Sequence, residues 1–98
     1  MDVEFDDDDL DRLETDLQFT CGFDRAIVKG FRKLMQAIRA ATDERDFYAM
    51  KSFRFEQLKG NRAHERSMRI NDKYRLILEL EGVAPNKKVR IKKIEDYH

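Results

Sequence analysis

The stretch RSMRINDKYRLILEL, residues 66–80, decides the fold. Met68 and Ile70 point one way and Ser67 and Arg69 the other, which is the period-two pattern of a strand. Asn71-Asp72 suits a tight turn. The returning strand then places Leu76, Leu78 and Leu80 on a buried face and leaves Arg75 on the opposite one. The reading is an antiparallel hairpin with one apolar and one charged face, and the apolar face needs a cover.

Upstream, the period is that of helices. FDDDDLDRLETDLQF spaces Leu10, Leu13 and Leu17 at i, i+3, i+7, and the aspartates Asp6 to Asp9 fall at its N-terminal end, where the helix dipole favours carboxylates. Gly22 punctuates and Asp24 can cap a second helix over about Arg25–Ala41. Its stripe of Ile27, Phe31, Leu34, Met35 and Ile38 is a packing face, with Arg25, Lys29, Arg32 and Arg39 on the other side. Gly30 inside this helix costs roughly 1 kcal/mol relative to Ala, and the expected reason is a close crossing by the first helix. Thr42 or Asp43 caps one further short turn.

After residue 50 the pattern alternates. SFRFEQL reads as a strand with Phe53 and Phe55 on one face and Arg54 and Glu56 on the other. LKGNRAHE is a loop marked by Gly60-Asn61, EGVAPN is a turn, and KVRIKKIEDYH is the final strand. VEF at the start is a candidate edge strand. The fold expected is α+β: two N-terminal helices on one face of a mostly antiparallel sheet of four to five strands, forming one domain over residues 1–98.

Composition limits what such a domain does. The 98 residues suffice for one modest core, and no apolar run approaches the ~18 residues of a membrane span. Cys21, the single cysteine, has no internal disulfide partner and reads as a small apolar residue of a reducing cytoplasm. One cysteine and the two distant histidines, His64 and His98, make no metal cluster, so neither a metal nor another cofactor is expected. The net charge is zero, but residues 1–24 hold ten acids and one base, whereas residues 25–98 hold nineteen bases and ten acids. A basic body draws polyanions, and an acidic start can also fold against that body and cancel it.

The charged sheet face carries the chemistry. Arginines and lysines there form a plausible cradle for phosphate. A carboxylate, an imidazole and a phenol nearby would add acid–base capacity for metal-free RNA cleavage. Exposed arginines and lysines on a sheet are, however, most often a solvated face.

LKGNR, then RSMRINDKYRLIL, then IEDYH at the end of the sequence together resemble the HigB-type toxins of the RelE/ParE superfamily. The likeness extends to the helix ending IRAATDERDF and so covers most of the chain from about Ala26. It implies a RelE-like fold, a ribosome-dependent mRNA endoribonuclease, and a neighbouring helix-turn-helix antitoxin of HigA type. It also implies a cytoplasmic protein that meets ribosome and mRNA, no membrane, and operator DNA only through the antitoxin complex. By position, Asp96, Tyr97 and His98 match the catalytic tail, with His98 as the proton-transfer residue. Lys59 and Arg75 match positions that handle phosphate or the transition state, and Arg54, Arg62 and Arg69 complete the expected basic surface. Many relatives have His-Pro-Leu-Lys-Gly where this chain has Glu56-Gln57-Leu58-Lys59-Gly60, so Glu56 becomes the candidate general base. Arg66 stands where an aromatic residue is common, and His64 reads as exposed and incidental. Two other functions fit the same scaffold: a non-cleaving blocker, as ParE-type relatives are of DNA gyrase, and an inactive relative kept for antitoxin binding and transcriptional control.

Overall fold

The computed structural model describes residues 1–83 and 87–96. In order, the chain forms β1 (Asp2–Phe5), α1 (Asp8–Thr15), α2 (Arg25–Ala40), α3 (Arg45–Ala49), β2 (Glu56–Gln57), β3 (Arg66–Arg69), β4 (Tyr74–Glu81) and β5 (Lys88–Asp96). The five strands make one sheet in the order β1-β5-β4-β3-β2. Its pairs are antiparallel except β1 with β5, which run parallel. The opening VEF is thus an edge strand, and the architecture is the α+β class that the change of period implies.

The hairpin forms for the reason its sequence suggests. The Asn71 side-chain oxygen accepts from the backbone N–H groups of Lys73 and Tyr74 at 2.9 and 2.8 Å, which fixes the turn. Met68, Leu76 and Leu78 join Val89 and Ile91 in one core with Leu10, Leu13, Val28, Phe31, Leu34, Met35 and Ile38. Burying a side chain of this size removes it from water at a gain of about 1.5–3 kcal/mol each. β5 keeps its apolar residues inward through a bulge: Ile77 faces Lys93 and Leu78 faces Ile91, so Lys92 is the extra residue.

Several expectations change. α1 ends at Thr15, and Leu17 lies outside it and is 75% exposed, so the leucine stripe stops at Leu13. Arg32 does not face solvent alone. It donates to the carbonyls of Leu13 at the end of α1 and of Asp16 and Phe19 in the segment after it, at 2.9, 2.9 and 3.3 Å, tying that segment to α2. A Cβ at Gly30 would meet Ile70 Cγ2 at 2.8 Å, so the β3–β4 hairpin, and not α1, comes close at that glycine. The short helix α3 takes Glu44 as its N-cap residue, with no side-chain bond from it, while Thr42 donates to Asp46.

The largest change concerns SFRFEQL. Lys51–Phe53 forms a 3₁₀ turn, Arg54 ends it in the left-handed region at φ 46°, and only Glu56–Gln57 pairs as a strand. Phe53 and Phe55 are buried all the same. Their alternation reflects two aromatic anchors on an irregular segment, and Phe55 packs at a tilt against Phe47 and edge-to-face against Tyr48, with ring centroids 5.2 and 4.9 Å apart.

The acidic start does fold against the basic body. Glu4 and Asp6 pair with Lys88, Arg90 and Lys92, and Glu14 pairs with Arg39. Asp7, Asp8, Asp9 and Asp11 stay exposed. The Met1 ammonium donates to the carbonyls of Ile38, Arg39 and Ala41 at the C-terminal end of α2, where positive charge is favoured. Among the described residues, no helix is long and apolar enough to cross a membrane.

Candidate active site

The sheet face turned away from the helices is built in rows. In one row Arg69 on β3 faces Arg75 on β4, which faces Glu95 on β5. In the next row Glu56 faces Ser67, Ser67 faces Ile77 and Ile77 faces Lys93. Directly opposed residues share a face, so the register alone gathers three of the expected basic and acidic residues with Glu95 and Lys93.

Glu95 is the hub. Its Oε2 accepts from Arg75 Nε at 3.1 Å, Arg75 Nη2 at 2.7 Å and Arg62 Nη1 at 3.2 Å. Its Oε1 accepts from Arg62 Nη2 at 2.9 Å and lies 3.2 Å from Lys93 Nζ. Arg62 is held a second time, donating from Nε to Glu65 at 2.6 Å. Hydrogen bonds from Arg62, and then from Arg75 and Lys93, hold the Glu95 carboxyl down at about 2 against the desolvation that would raise it. Glu95 and Glu65 raise Arg62 in return. Arg62 and Arg75 are therefore present as phosphate-binding candidates but already hold a carboxylate. Glu95, Glu65 and Lys93 were not singled out from the sequence.

The remaining candidates scatter. Lys59 is exposed and extended, just before the 3₁₀ turn Gly60–Arg62. Gly60 takes φ +67°, a conformation that glycine adopts without strain. The loop is closed by Leu58 N–H to Glu65 O at 3.0 Å and by Gln57 Nε2 to Ala63 O at 2.7 Å, and this closure brings Arg62 back over the sheet. Arg69 is half-buried and pairs with Asp72 in the hairpin turn. Glu56 is exposed and, among the described residues, forms no ion pair with Arg54 or Lys59. Arg54 does not share a strand face with Glu56, because its left-handed backbone takes it out of the alternation. Asp96 ends the described part of β5, opposite Tyr74. Tyr97 and His98 lie outside the described residues.

The described residues also bring His64, Glu65 and Glu79 to within 4.8 Å of one another through atoms that bind metals. Arg62 already holds Glu65 at 2.6 Å, and Lys92 lies 3.6 Å from Glu79, as does His64. The grouping reads as part of the ion-pair lattice. It joins the loop before β3 to β4, which no spacing along the chain reveals.

Comparison with known proteins agrees with this architecture. In solved structures, the chain resembles a YoeB/ParE toxin from Agrobacterium tumefaciens at 17% identity, with all of both chains covered and a TM-score of 0.58. It resembles the YoeB-YefM complex from Staphylococcus aureus at 19% identity, covering 100% of this chain and 97% of that one, with a TM-score of 0.61. The YoeB dimer from Staphylococcus aureus gives 21% identity over 100% and 97%, with a TM-score of 0.55. Identities this low establish the fold only. No curated protein matches the chain in sequence. The family model described as "RelE-like toxin of type II toxin-antitoxin system HigB" matches residues 3–98. With nearly its whole length matched, the chain belongs to the HigB-like toxins of type II toxin–antitoxin systems.

Proposed function

We propose that this toxin is a ribosome-dependent mRNA endoribonuclease. The observation that carries the reading is the pair Arg62 and Arg75, two guanidinium groups converging on one anionic group on the sheet face turned away from the helices. Such a pair suits a phosphodiester, because it can neutralise the extra charge that develops at phosphorus in the transition state.

In the proposed reaction a base takes the proton of the ribose 2′-OH, and that oxygen attacks the adjacent phosphorus. A 2′,3′-cyclic phosphate forms, the bond from phosphorus to the 5′ oxygen breaks, and an acid returns a proton to the leaving oxygen. His98 is the proposed acid and Glu56 the proposed base, with Tyr97 stacking on or orienting the substrate and Asp96, which lies opposite Tyr74 on the other face of β5 from Glu95, placing its neighbours. Arg75 and Arg62 contact the reacting phosphate, while Lys59, Arg69 and Arg54 guide the flanking backbone. No step uses a metal. Strands lie about 4.8 Å apart, so Glu56 on β2 and Glu95 on β5 are separated by roughly three such steps, with the arginines between them.

The proposed partners are the ribosome, its mRNA and a helix-turn-helix antitoxin of HigA type, with operator DNA met only through the antitoxin complex in the cytoplasm. A structural neighbour solved as the YoeB-YefM complex supports an antitoxin partnership. The test is to induce the full chain alone and map mRNA 5′ ends. New ends inside translated frames, lost in Arg75→Ala, are expected. Growth arrest without new ends would replace cleavage by blocking.

A further inference from the structure

We infer that Glu95 is a positioning residue that stands in for phosphate: it holds Arg62 and Arg75 aimed at one point and yields that point to the RNA. The inference rests on the nuclease reading for its kinetic consequence only. Its basis is geometric. The terminal nitrogens of Arg62 form a fork on both oxygens of Glu95, the arrangement guanidinium also makes with phosphate. Arg75 brings two N–H groups to the single oxygen Oε2, and Lys93 lies beside Oε1. The side chain of Glu95 keeps 17% exposure on the sheet face turned away from the helices.

The second carboxylate explains how the exchange keeps its geometry. Arg62 donates its Nε to Glu65 and only its terminal nitrogens to Glu95. When phosphate replaces Glu95, Glu65 still fixes the plane of that guanidinium. Without a carboxylate at position 95, Arg75 would lose the oxygen that draws two of its N–H groups, and the two guanidinium groups would have no common point to aim at. Glu95 therefore lowers affinity for an anion, because it competes, and raises turnover, because the arginines are already oriented when the anion arrives. A residue that merely supported the fold would not separate these two effects.

The test uses the full chain, 15N-labelled, as wild type, Glu95→Gln and Glu95→Asp, with Glu81→Gln as a control remote from the site. Arginine Nε–H signals are followed during titration with inorganic phosphate, and cleavage is measured on programmed ribosomes. Glu95→Gln should shift the Arg75 signal and tighten phosphate binding about threefold or more. It should also lower kcat on the order of 10-fold while KM falls. Glu95→Asp keeps the charge and should lie between, and it carries the test if Glu95→Gln does not fold. Glu81→Gln should match wild type throughout. Unchanged arginine signals and phosphate affinity in Glu95→Gln would overturn the inference, as would a loss of kcat with KM unchanged or raised. A wild-type chain that cuts no RNA would remove the nuclease reading, yet the phosphate titration would still decide the role of Glu95.

Discussion

Opposite ends of β5 carry ion pairs of the same chemistry and different stoichiometry. At the start of the strand, Lys88, Arg90 and Lys92 interlock with Glu4, Asp6, Glu79 and Glu81, three bases among four acids. At its end, the described ion pairs set Arg62, Arg75 and Lys93 against Glu65 and Glu95, three bases to two acids. The first group is saturated and joins β1 to the sheet. The second converges on one carboxylate: Arg62, Arg75 and Lys93 all reach Glu95, whereas Arg90 is spread over three acids. Counting arginines does not separate a seam from a site; asking how many of them aim at one point does.

The sharpest way to break this contrast is to remove one arginine from each end. Arg75→Ala should slow cleavage on programmed ribosomes by about 10²-fold, the scale of losing a donor to a developing anion. It should also reduce the salt slope of ribosome binding by about one phosphate contact. Arg90→Ala should change cleavage less than about twofold, since solvated ion pairs of this kind contribute little. Equal losses in the two variants would erase the distinction.

A second difference lies in the seat of the hairpin. Gly30→Ala places a methyl group where Ile70 Cγ2 lies 2.8 Å from an ideal Cβ, under the hairpin that bears Arg69 and Arg75. The helix gains roughly 1 kcal/mol from alanine, and overpacking costs about 1–3 kcal/mol, so a net loss near 1 kcal/mol is expected in denaturant titration. Ile70→Ala in the same chain should restore the alanine benefit. Gly30→Ala should lower activity, with the Lys88–Glu4 seam unaffected.

A pH dependence tests the hub itself. Glu95 is depressed from the ordinary value of 4.5 to about 2. The folded state therefore favours its ionised form. That contribution is complete above pH 4.5 and is lost as pH falls toward 2. Between those limits, wild type should lose more stability than Glu95→Gln, measured by thermal unfolding at stepped pH. Parallel curves would mean that the hub adds nothing to the fold.

Much of the fold was legible because it rests on periodicity. The stripe of α2, the Asn71-Asp72 turn and the leucines of β4 each follow from one rule applied to adjacent residues. The segment around Arg54 was not, because two buried phenylalanines two residues apart look alike in a strand and in a turn followed by a left-handed residue. The candidate site divides the same way. Arg62, Arg75 and Glu56 were identifiable as charged residues near a resembling motif. Their relation to Glu95 was not, since it depends on β5 lying between β1 and β4 and on a loop closing over both. Sequence spacing gives the face of a residue; it does not give the neighbour two strands away.

The bulge at Lys92 is a matter of phase. Val89, Ile91 and Ile94 are spaced by two and then three, and that irregular step lets all three reach the core while Glu95 stays on the outer face. Deleting Lys92 would remove the bulge and its surplus residue together, and so would leave Ile94 inward and Glu95 outward. Keeping Lys92 in a strand forced straight would instead impose strict alternation and turn Ile94 outward and Glu95 inward. Such a strand would keep every arginine of the site and lose their common target, so the bulge sets which way Glu95 faces.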